Sequence, residues 1–68
     1  MTIRFDKNFY NVGAIKKAAK AYKNLACFKI KEEKRKINVE LTKIDKDIKE
    51  VIQDEFCNYV LAEMKNVY

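Results

Sequence analysis

The side chains here with the widest chemical repertoire are Cys27, Cys57 and ten carboxylates, and their spacing supports no reaction. A cysteine nucleophile needs a neighbouring base, and the chain has no His. Cys27 and Cys57 lie thirty residues apart, without a CxxC partner, so zinc binding is equally unsupported. The sequence also lacks Ser, which excludes a Ser-His-Asp triad, and its one Gly cannot build a phosphate-cradling loop. Among the carboxylates, Asp54 and Glu55 are adjacent and diverge by about 100° on a helix. Glu50 and Asp54 share a helix face, but the outer one. A catalytic acid needs burial or a close partner to shift its pKa, and this pattern supplies neither. The expectation is a protein that binds and does not transform, with no catalytic residue, metal or cofactor.

Charge is the stronger signal. The formal net charge is +5, from 15 Lys and Arg against 10 Asp and Glu. Residues 1–44 hold twelve of the basic residues and four of the acids; residues 45–68 reverse that balance, with three Lys and six acids. Lys16, Lys20 and Lys23 fall at helical spacing and form a solvent-side stripe, with Lys17 beside it. Lys29, Lys31, Lys36 and Asn38, joined by Arg4, occupy the outward positions of strands. Such a surface suits phosphates or an acidic peptide. The ordinary alternative is that these lysines solvate the surface and discourage edge aggregation. The open strand face reads Cys27, Lys29, Lys31, without the aromatics that single-strand nucleic-acid binders stack on bases. Asn58, unfavourable inside a helix, invites a hydrogen bond to a neighbouring strand or a partner.

The elements that must position these residues follow from periodicity. Ile3 and Phe5 alternate with polar neighbours in a short strand. Asn11 is an N-cap candidate, and Val12, Ile15, Ala19 and Tyr22 form one face of a helix near 12–23, with Tyr10 and Ile15 spaced for a hydrophobic staple. Phe28 and Ile30, then Ile37, Val39 and Leu41, alternate as two further strands. The charged run Glu32–Lys36 between them lacks Gly or Asn, which predicts a looser hairpin connection than a primed turn. From Asp45 onward Ile48, Val51, Ile52, Phe56, Tyr59, Val60, Met64 and Val67 mark a long amphipathic helix near 46–65, capped by Asp45 or by a Thr42–Asp45 capping box, with Asp47 and Glu50 at its positive end. The order β-α-β-β-α predicts one α+β domain over residues 1–68: a two-layer sandwich of a three-stranded sheet with two helices on one face.

The charged N-terminus and the absence of a long apolar run argue for a cytoplasmic protein without a membrane span. Two cysteines suit a reduced compartment, where both pack as small hydrophobes; a single Cys27–Cys57 disulfide is the alternative.

Tyr10, then Ala14-Ile15-Lys16-Lys17-Ala18-Ala19 and Tyr22, then Ile37-x-Val39-x-Leu41, then Glu55-Phe56-x-Asn58-x-x-Leu61 resemble the HxsD-like proteins. These are small proteins of His-Xaa-Ser repeat peptide systems, encoded beside radical SAM maturation proteins. The resemblance runs from about Phe9 to Leu61. It implies an accessory or peptide-binding role and carries over no catalytic residue. The leading expectation is therefore a peptide- or protein-binding module in peptide maturation, with Lys16, Lys20, Lys23, Lys29, Lys31 and Asn58 as candidate contact residues. The alternative is a small nucleic-acid-binding protein using the lysines on phosphates. A third reading is a homodimeric structural subunit with Phe56, Val60, Met64 and Val67 at the contact.

Overall fold

Alternation of apolar and polar residues builds the sheet. In the computed structural model, which describes residues 1–65, the strands are β1 (Thr2–Asp6), β2 (Cys27–Glu32) and β3 (Lys36–Thr42). β3 lies at the centre and pairs antiparallel with both others, giving the order β1-β3-β2. In this register Ile3, Phe5, Ile37, Val39 and Leu41 point to one face and are buried, with Phe28 and Ile30 half-buried beside them.

Helices α1 (Val12–Ala21) and α2 (Ile52–Lys65) cover that face, as the β-α-β-β-α order predicts. α1 starts where the sequence suggests: Asn11 Oδ1 accepts from Gly13 N–H at 2.7 Å. Gly13 belongs to this cap, because a Cβ there would stand 2.9 Å from the same oxygen. Ala14, Ile15, Ala18 and Ala19 form the buried stripe of α1, and small residues let it approach α2 and β2 closely.

Phe56 on α2 is fully buried and gathers an aromatic cluster. Its ring stacks on Phe28 at 5.1 Å and meets Phe5 and Tyr22 at 6.1 and 6.2 Å. Such pairs contribute about 0.5–1.5 kcal/mol each beyond burial. The full burial of Phe56 and Val60 removes both from any dimer contact, correcting that expectation, while Met64 is half-buried. Val67 lies outside the described residues.

Three local features depart from the sequence pattern. The helix expected from residue 46 is divided: a 3₁₀ turn at Lys46–Ile48 precedes α2, which begins only at Ile52. Asp45 does cap, but it caps the 3₁₀ turn, accepting from Asp47 N–H at 2.9 Å, while its own N–H is held by Leu25 O at 2.8 Å. Bonds from Ile48 N–H to Asp45 O and from Val51 N–H to Ile48 O tighten the chain by i→i+3 steps. Over a single turn, apolar spacing does not distinguish this winding from an α-helix. The acids of α2's first turn are therefore Asp54 and Glu55, and Thr42 ends β3 without entering a capping box. The hairpin is tighter than expected: Lys34 and Arg35 bend between Glu33 and Lys36, and Glu33 N–H donates to Lys36 O at 2.8 Å. Lys43, just past β3, takes a left-handed conformation with φ 51°, a strained choice for a residue with a Cβ.

Candidate partner-binding site

The two edges of the sheet set the site. Hydrogen-bonded and non-bonded residue pairs alternate along an antiparallel ladder. The Glu33–Lys36 bond fixes the phase for β2: Cys27, Lys29 and Lys31 direct their backbone groups to β3, whereas Phe28, Ile30 and Glu32 direct theirs away from the sheet. Among the described residues, no backbone group outside the sheet bonds to them. β1 runs differently. Met1 and Leu41 exchange bonds of 3.2 and 2.8 Å, so Thr2, Arg4 and Asp6 face outward, and the loop after β1 folds back onto the last of these. Asp6 O accepts from Phe9 and Tyr10 N–H at 3.0 Å each, and Asp6 Oδ1 accepts from Asn8 N–H at 2.8 Å.

Lysines border the β2 edge from two directions. Lys29 and Lys31 are exposed on the open sheet face. On α1, Lys17 reaches across to Glu63 of α2 at 3.9 Å, which identifies the flank turned to that helix. Lys16 and Lys20 lie roughly 60–100° further round the helix, on the side away from α2. α1 packs against β2, and the field of Lys16 reaches Glu32 on that strand. Lys16 therefore lies on the β2 side of α1, Lys20 turns directly away from the sheet, opposite the buried stripe, and Lys23 is exposed in the turn after α1. Thus Lys16, Lys29 and Lys31 flank one edge, and Lys20 and Lys23 are exposed without any contact that brings them to it among the described residues. Asn58 does not join them: it is exposed on α2 and makes no side-chain hydrogen bond among the described residues, so the expected bond to a strand is absent.

Glu32, at the end of the edge, is already engaged. Lys7 Nζ pairs with it at 2.7 Å, and that hydrogen-bonded ammonium, with Lys16 adding a smaller effect, holds its carboxyl below the ordinary value. The open face carries a groove of about 510 Å³ lined by Thr2, Lys29, Ile30, Lys31, Asn38 and Glu40. Asn38 is half-buried there; its amide donates to Glu33, and its Oδ1 is buried without a partner among the described residues. Sequence reasoning placed Asn38 outward without seeing this, although an amide in mid-strand was the signal available.

A second, more apolar groove of about 280 Å³ lies between α1 and α2, lined by Tyr22, Leu25, Ile48, Val51, Ile52 and Glu55. Tyr22 spans its wall, its hydroxyl donating to Glu55 at 3.4 Å; burial first, then the Glu55 charge, raises its pKa. The cysteines differ. Cys27 is exposed on the open face, contrary to the expectation that both pack as hydrophobes, because position 27 falls on the solvent side of the register. Cys57 is half-buried, and burial, with Asp54 nearby, raises its pKa. Both thiols are free. Among the described residues no group of three or more His, Cys, Asp or Glu could hold a metal, and no helix is long and apolar enough to cross a membrane. No family model, curated protein or solved structure matches the chain.

Proposed function

We propose that this protein is a non-catalytic module that binds a peptide or protein partner by accepting an extended segment along β2. The observation that carries the reading is the open β2 edge, where Phe28, Ile30 and Glu32 present unused backbone donors and acceptors. Strand addition draws affinity from such groups and specificity from the side chains flanking them. An accessory role in peptide maturation, which the HxsD-like resemblance implies, fits a surface that holds a chain in extended form while another protein acts on it. The lysines around the edge also support the alternative, phosphate contacts with nucleic acid, whose signature is an affinity that falls steeply with salt.

Proline tests strand addition directly. Ile30→Pro removes an outward N–H that no sheet bond uses, a substitution that edge strands tolerate. Peptide binding should disappear in Ile30→Pro and persist in Ile30→Val, with both variants unfolding cooperatively. Equal binding by the two would reject β2 as the docking strand.

A further inference from the structure

The reading of β2 as a docking strand leaves its occupant open, and charge narrows it. We infer that the segment added to β2 alternates acidic and apolar side chains, and that it is not a second copy of this chain. The inference rests on strand addition at β2.

A residue paired beside Lys29 or Lys31 on the open face places its Cβ about 4.5–5.5 Å from the lysine's, close enough for opposite charges to attract. Both lysines are exposed, and neither forms an ion pair among the described residues. Acids at every second position of the incoming strand would meet them. The intervening side chains would rise on the other face, beside half-buried Phe28 and Ile30 and on the side of α1 that carries Lys16. Apolar residues there extend the core outward. The one acid on β2, Glu32, is neutralised by Lys7 and so does not oppose an acidic strand.

A second copy fits badly. Two-fold antiparallel pairing of β2 with itself about Ile30 would set Lys29 opposite Lys31 twice on one face. Like charges directly opposite are destabilising, so the same lysines that recruit an acidic strand oppose self-association.

The test uses the full chain, labelled with ¹⁵N, and three eight-residue blocked peptides that alternate Val with Glu, Gln or Lys. The Val-Glu peptide should protect the amides of Phe28, Ile30 and Glu32 from exchange and bind roughly tenfold more tightly than Val-Gln, with Val-Lys weakest. The double variant Lys29→Glu, Lys31→Glu should reverse the order of Val-Glu and Val-Lys. If Val-Gln binds as tightly as Val-Glu, the acidic preference falls while strand addition stands. If no peptide protects the three amides, strand addition itself falls. A dimer formed through β2, or a thymidine octanucleotide that displaces Val-Glu at equal concentration and salt, would also overturn the inference.

Discussion

β1 and β2 are both edge strands of one small sheet, and both pair with β3, yet their outer sides are treated differently. β1 is blunted at one end by its own continuation, which turns back at Asp6 and takes that outward carbonyl for two amides before entering α1, while the outward groups of Thr2 and Arg4 take no such bond among the described residues. Among the described residues β2 receives no such cover. Its outward backbone groups stay open, and what guards it is charge: lysines on the open face and on the flank of α1. A loop closes to every partner the stretch of edge that it bonds, here the Asp6 end of β1, whereas lysine acts selectively, repelling basic and self-paired strands and leaving acidic ones free to approach. The contrast is what turns a liability of sheet architecture into a candidate recognition surface.

The largest perturbation should erase the comparison altogether. Phe56 contacts Phe5 on β1 and Phe28 on β2, so it holds both edges to the helices. Phe56→Ala should cost about 3–5 kcal/mol, comparable to the roughly 3–5 kcal/mol that a core of this size supplies. The variant should be largely unfolded at room temperature, with amide protection lost on both edges together in hydrogen exchange. Loss confined to one edge would show that the edges unfold independently.

A smaller change should act at the junction that follows the blunted edge. Asn11→Ala removes the cap of α1 and should destabilise by about 1 kcal/mol in urea unfolding. Gly13→Ala gains up to about 1 kcal/mol of helix propensity but brings its Cβ to 2.9 Å from Asn11 Oδ1, so its net effect should be close to zero. In an Asn11→Ala background that conflict is gone, and Gly13→Ala should stabilise. A double-mutant cycle that is additive would deny the coupling.

Most of the architecture was legible in the sequence, because period 2 and period 3.6 leave distinct marks when one face of each element is buried. The failures share a cause. A 3₁₀ turn and the first turn of an α-helix carry nearly the same apolar spacing, so the break between Lys46–Ile48 and Ile52 depends on Asp45 being tied to Leu25, a contact outside the local pattern. The site was half visible. The lysine residues could be named, but the meeting of Lys16, Lys29 and Lys31 at one edge needed β3 to be central and α1 to lie against β2, and neither is encoded locally. Asn58 was singled out for being unusual in a helix, and its exposed position makes that choice inexpensive.

The mildest test concerns the pair that ties the two edges together. Lys7, in the loop after β1, crosses to Glu32 at the end of β2, and this contact lowers the Glu32 pKa below its ordinary value of 4.5. A carboxyl group whose pKa is lower folded than unfolded binds protons more readily in the unfolded chain, so its contribution is fully present above the ordinary value and fades as pH falls through the folded value. Urea midpoints should therefore decline with acidification below about pH 4.5, and part of that slope should vanish in Glu32→Gln. The effect should be small, since both groups are solvent-exposed enough for water and salt to screen them. Its location is more informative than its size: acidification should lower the protection factors, exchange rates corrected for the intrinsic pH dependence, near Glu32 and Lys7 while leaving those of amides beside Cys27 unchanged. A uniform fall in protection along β2 would mean that the pair stabilises the whole edge and does not merely pin one end.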